Sequence, residues 1–169
     1  MDKRRLMHLA EAVLLDFTSE YNITDFPRIW DVFAIIEIES SWNEKAESPF
    51  ARGLMQVSQI ALQDISRVYK QEMEKKFGKP LTYDDMFIPE PNLWVGIRYL
   101  RRCFRIFIDT LDPVHNAIRA YNWGIGNVQK WLRESSVTQA MKSLPQETQL
   151  YVHKFDWWRQ RYHEEVRKQ

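Results

Sequence analysis

The chain has 169 residues, a formal net charge of +1, 14% aromatic residues and one cysteine. That length fits one domain able to bury a core without staples. The near-zero charge offers nucleic acid no basic stripe, and a lone Cys103 excludes an intrachain disulfide framework. The basic runs Lys3-Arg4-Arg5 and Arg101-Arg102 read as solvated helix faces, and Cys103 as a small apolar core residue. Four scattered histidines show no metal-ligand spacing.

Helical periodicity dominates from the start. Residues 2–20 place Leu6, Leu9, Ala10, Val13 and Leu14 on one face. The basic start followed by Leu6 to Leu15 faintly mimics a signal peptide. His8 and Glu11 interrupt the apolar part and no small-x-small cleavage site follows, so it reads as an amphipathic helix of the domain. No run is long or apolar enough for stable membrane insertion. Asp25 is the expected cap of the next helix, Trp30 to Ser41, with Pro27 in its first turn. One long helix is predicted over 59–77, burying Ile60, Ile65, Val68, Tyr69, Met73 and Phe77, and ended by Gly78-Lys79-Pro80. Pro89 and Pro91 open a helix carrying Leu93, Val95, Gly96, Tyr99, Leu100, Cys103, Phe104 and Phe107. Asp112-Pro113 caps a helix from Val114 to Asn122, and Gly124 and Gly126 precede one through Val128, Trp131 and Leu132. Leu144-Pro145 opens the last helix, to about Arg167, with the stripe Tyr151, Phe155, Trp158, Tyr162. Of Trp157 and Trp158, one is expected in the core and one at its rim. No strand alternation, repeat or linker is evident. The fold class is therefore all-α, as a single domain over 1–169.

The chemistry concentrates between Ile35 and Gln56. At 100° per residue, with Ile36 at zero, Glu39 falls near about −60°, inside the apolar arc, and Glu37 near about +100°, on another face. The two acids are therefore not a catalytic pair. Burial raises a carboxylate's pKa, as a proton donor to a glycosidic oxygen requires. Periodicity alone leaves two readings of Glu39: such an acid, or a glutamate pointing out past the last helical turn. A polar loop from Asn43 to Pro49 follows. Gly53 then permits close backbone approach, and Gln56 offers an amide. Met55 would be core in most proteins but is kept as a candidate substrate contact. Tyr121 is either a stacking residue or core, and Asn122 either a ligand contact or a helix cap.

Four blocks in order resemble the soluble lytic transglycosylases, goose-type-lysozyme-like enzymes of bacterial cell walls. They are Glu39-Ser40-Ser41-Trp42-Asn43 through Gly53-Leu54-Met55-Gln56; Pro89-Glu90-Pro91-Asn92 with Gly96 and Tyr99-Leu100; Ala120-Tyr121-Asn122 with Gly124 and Gly126; and Leu144-Pro145 with Glu147-Thr148 and Tyr151-Val152. The resemblance implies a lysozyme-like helical domain with a substrate cleft. It divides the chain into an N-terminal helix and connection (1–28), a catalytic core (29–155) and the end of the last helix (156–169). The implied partner is the peptidoglycan glycan strand, cut at the β-1,4 link between N-acetylmuramic acid and N-acetylglucosamine without water. Glu39 would be acid and then base, with Ser48, Gln56, Tyr121, Asn122 and Tyr151 around the acetamido group and no cofactor. The implied place of action is the bacterial wall or periplasm. With no signal peptide visible, the expectation is a phage-delivered protein or one whose leader has been removed. A lysozyme-type hydrolase and a non-catalytic wall-binding module are the competing functions. Departures from the family pattern are a Ser48-to-Gly53 loop one residue short and carrying Phe50, no proline after Gln56-Val57, and Trp123 and Ile125 in place of a common alanine and proline.

Overall fold

The computed structural model describes residues 1–134 and 144–168. Residues 135–143 and 169, inside the predicted ranges 29–155 and 156–169, lie outside the described residues. Among the described residues are eight α-helices: α1 (Lys3–Glu20), α2 (Ile29–Ser40), α3 (Gln59–Val68), α4 (Lys70–Phe77), α5 (Pro89–Ile106), α6 (Pro113–Trp123), α7 (Ile125–Glu134) and α8 (Gln146–Val166). A short 3-10 turn spans Asp84–Phe87. The fold is all-α. A small antiparallel hairpin, β1 (Ala51–Arg52) with β2 (Val57–Ser58), pairs Ala51 with Ser58 and Arg52 with Val57. Strands of two residues carry no period-two pattern, so nothing in the sequence announced them. None of the described helices is long and apolar enough to cross a membrane.

The chain divides within α5 into two compact units, Met1–Tyr99 and Leu100–Gln169. In the first, α1 packs on α2 and buries Leu6, Ala10, Val13, Leu14 and Phe17. Residues 31–36 of α2 and 91–98 of α5 are buried on every side, as helices inside a core are. Buried in α5, the Arg98 guanidinium lies 3.8 Å from the Trp94 ring centre and 4.5 Å from that of Phe17. Burial lowers its pKa to about 10, so it stays charged at neutral pH.

Three expectations are corrected here. The helix predicted over 59–77 is broken at Tyr69, whose φ and ψ of −115° and 35° leave the α region. Ile60 is 76% and Val68 46% exposed, and α3 buries Ala61, Leu62 and Ile65 instead. Asp25 does not cap α2. The helix starts at Ile29, and Asp31 in its first turn reaches back, its Oδ2 accepting the Arg28 N–H at 2.7 Å.

Asp85 closes the loop before α5. Its carboxylate accepts from Lys79 Nζ at 2.9 and 3.1 Å, from the Thr82 N–H at 2.7 Å and from Thr82 Oγ1 at 2.9 Å. Burial pushes its pKa up, but these donors outweigh burial and leave it below the usual carboxylate value. A depressed folded pKa gives stability that is complete above the unfolded value, about 4. That stability is lost as pH falls through the folded value. Asp85→Asn is therefore expected to lower the melting temperature at neutral pH and to flatten its fall below about pH 4. Thermal melts of both proteins across that range are the check.

In the second unit α6 packs against α7 and α8. His115 links the start of α6 to α8, with Nδ1 3.1 Å from Asp112 and Nε2 2.8 Å from Asp156. Tyr151, Phe155 and Tyr162 of the predicted stripe are buried. Trp158 is half-buried and stacks on Tyr162, while Trp157 is the exposed member of the pair.

Candidate active site

Glu39 occupies the last turn of α2 and is half-buried. The helix stops one residue later because Ser41 and Trp42 both take positive φ, 49° and 66°. Such conformations cost on the order of 1–3 kcal/mol each for non-glycine residues and persist only where neighbours hold them. Trp42 is held tightly. Its indole N–H donates to Glu37 Oε2 at 2.6 Å, and its ring meets Phe33 edge-on at 5.3 Å. Lys3 donates to the same Glu37 oxygen at 3.0 Å and stands 5.4 Å from the Trp42 ring centre. Glu37 thus belongs to the brace that ends the helix, separate in role from Glu39.

The polar loop folds back on β1 through a bridge between Glu47 and Arg52. Ser48 is exposed in the turn that this bridge closes, and its Oγ accepts from the Ala51 N–H at 3.0 Å and the Phe50 N–H at 3.3 Å. The shortened loop therefore ends in a turn closed by Ser48 itself. Arg52 anchors the base through Glu47 at 3.2 Å and Asp84 at 2.8 Å, with its guanidinium 4.2 Å from the Tyr83 ring centre.

Gly53 takes φ 76° and Gln56 φ 47°, so the chain turns sharply at both ends of Gly53–Gln56. The Gln56 amide nitrogen donates to the Ala46 and Gly53 carbonyls, both at 3.0 Å, which uses both of its hydrogens. Met55 is fully buried and backs this turn from α5. A Cβ on Gly96 would lie 2.5 Å from the Met55 sulfur. Its side chain supports the loop from behind.

In the second unit, Tyr121 and Asn122 sit half-buried at the end of α6, which stops at Gly124 with φ 101°. Asn122 does not cap that helix; its Oδ1 accepts from Thr148 Oγ1 of α8 at 2.9 Å. Tyr151 lies buried three residues further along α8. Asn122 and Thr148 thus join α6 to α8, the helices that also carry Tyr121 and Tyr151. Three residues at these sites went unassigned in the sequence: Ser40, Asn92 and Thr148. The available signal for Asn92 was an amide inside an otherwise apolar run, Leu93 to Ile97 following it directly.

The site is thus a half-buried glutamate at a helix end, followed by a braced turn, in an all-α chain of lysozyme-like fold. The family model of the transglycosylase SLT domain matches residues 30–143, well over half of the chain, and the chain belongs to that family. Among solved structures it is similar to the 70 kDa soluble lytic transglycosylase Slt70 of Escherichia coli, at 25% identity and a TM-score of 0.69 over 90% of this chain and 24% of that one. It is also similar in fold to the 70 kDa soluble lytic transglycosylase in complex with bulgecin A, at 24% identity and a TM-score of 0.70 over 94% of this chain and 26% of that one. The chain spans about a quarter of the length of these enzymes. No curated protein matches it.

Proposed function

We propose that this chain is a peptidoglycan lytic transglycosylase acting at the bacterial cell wall as one catalytic domain. It cuts the β-1,4 bond between N-acetylmuramic acid and N-acetylglucosamine with Glu39 as its single acid–base group. The observation that carries this reading is Glu39 at the end of α2 in a chain of the transglycosylase family, with the nearby acid Glu37 committed to Trp42 and Lys3.

Glu39 protonates the bridging oxygen, and the N-acetylglucosamine side leaves as an alcohol. The acetamido oxygen of the muramoyl sugar attacks C1 as that bond breaks, the substrate-assisted exception to two-carboxylate glycoside cleavage. The Glu39 carboxylate then takes the proton of the muramoyl 6-hydroxyl. That oxygen closes on C1 and expels the acetamido oxygen. Glu39 ends protonated, no water is consumed, and the product is a 1,6-anhydro end. Gln56 Oε1, Ser48, Asn122, Tyr121 and Tyr151 orient the sugar, a contribution of position rather than proton transfer. The cycle uses no cofactor.

Mass analysis of purified wall digested with the protein is expected to show muramoyl ends one water lighter than reducing ends. Reducing ends alone would assign a hydrolase on the same scaffold and overturn the transglycosylase reading.

A further inference from the structure

We propose that Ser40 and Asn92 are positioning residues that clamp one peptide group and thereby keep Gln56 in register with Glu39. The proposal rests on the functional reading above. Ser40 follows Glu39 directly, and its Oγ lies 2.7 Å from the Leu54 carbonyl and 3.1 Å from that of Ile36. From the opposite side, Asn92 Oδ1 accepts the Met55 N–H at 2.8 Å. The Leu54 carbonyl and the Met55 N–H are the two polar ends of a single planar peptide unit. Gripped at both ends, that unit cannot rotate about its flanking Cα bonds without breaking one bond or the other.

Gln56 begins one residue later, in the left-handed region at φ 47°. A glutamine holds that conformation only where its neighbours impose it. The clamped peptide imposes it from upstream. Downstream the Gln56 side chain closes the turn on Ala46 and Gly53, at 3.0 Å each. Asn92 uses both Nδ2 hydrogens on backbone carbonyls, Arg52 at 2.8 Å and Met86 at 2.9 Å. It has no exposed surface. It therefore acts on substrate only through the loop it holds. Ser40 ties that loop to the end of α2 beside Glu39, so helix and loop move together.

The test reads kcat and KM separately on soluble glycan, in wild type, Ser40→Ala, Ser40→Thr and Glu39→Gln. Ser40→Ala is expected to lower kcat about ten- to hundredfold, the range for a small misplacement of groups that meet the substrate. KM should stay within roughly threefold, because what is lost is expressed in the transition state. Ser40→Thr, which keeps the hydroxyl, should recover most of kcat. Should Ser40→Ala fail to fold, Ser40→Cys carries the same test with a near-isosteric, weaker donor and an expected intermediate kcat. A folded Ser40→Ala or Ser40→Cys with wild-type kcat overturns the clamp while leaving the transglycosylase reading intact. A rise in KM with kcat unchanged also overturns it. Wild type and Glu39→Gln equally inert would remove the functional reading and the clamp with it.

Discussion

Glu39→Gln is expected to reduce wall cleavage by roughly 10³-fold or more while leaving the fold in place. General acid–base catalysis by one positioned group contributes about 10²–10⁴-fold. Here one carboxyl serves both proton transfers, so a single substitution removes acid and base together. Glutamine matches the side chain in shape, and Glu39 is half-buried at a helix end, so stability should change by no more than about 1 kcal/mol. Glu37→Gln, two residues away, is the control. It keeps an oxygen for the Trp42 indole and gives up the ion pair with Lys3, whose side chain is 51% exposed. Pairs of that kind are worth about 0–1 kcal/mol. Activity in Glu37→Gln should stay within about threefold of wild type, since the brace that ends the helix survives. Turbidity clearing of purified walls by the three proteins, with circular dichroism to confirm folding, separates these outcomes. Unchanged clearing by Glu39→Gln would mean that Glu39 is not the acid.

What the sequence revealed depended on how local each feature is. Helices α1, α5 and α8 were legible because their apolar residues recur over about three turns or more. The break at Tyr69 was not, because the hydrogen bonds around it remain helical, with the Tyr69 N–H on the Ile65 carbonyl and the Met73 N–H on the Tyr69 carbonyl. A continuous period hid the break. Helix start was misjudged because Asp25 is a cap by residue type, whereas the start depends on where Arg28 turns extended, φ −92° and ψ 167°. Within the site, the helical wheel put Glu39 on the apolar arc, yet only the block pattern made it an acid. That Met55, next to Gln56 in sequence, packs its side chain toward Gly96 is visible only in the folded chain. Ser40, Asn92 and Thr148 act on partners 14, 37 and 26 residues away, separations at which no periodicity speaks. A polar residue in an apolar run marks such positions, but its partner is visible only in the folded chain.

Gly53→Ala is expected to destabilise the protein by about 3 kcal/mol, the largest effect of any small change in the loop. Two terms add. A residue with a Cβ in the left-handed region costs about 1–2 kcal/mol, and Gly53 sits at φ 76°. A Cβ there would also overlap the Met86 carbonyl oxygen and the Asn92 side-chain amide. Overpacking of that sort costs typically about 1–3 kcal/mol. Neither neighbour can yield freely, because the Met86 carbonyl and Asn92 Nδ2 are bonded to each other at 2.9 Å and Asn92 also holds Met55. For a chain of this length the melting temperature should fall by about 10 °C. Gly78→Ala isolates the first term: φ is 70° and a Cβ there meets nothing within 4 Å, so only the conformational cost, about 1 kcal/mol, is expected. Differential scanning calorimetry of the two variants compares them directly. Equal losses would mean that the approach of Gly53 to α5 is loose. A much larger loss at Gly53 would show that the turn carrying Gln56 is seated against Asn92 with no room for one methyl group. Activity should follow the same order. The Gly53 N–H reaches the Ala46 carbonyl at 2.8 Å, and its carbonyl takes the Gln56 amide at 3.0 Å, so displacing Gly53 displaces the residue proposed to hold the sugar.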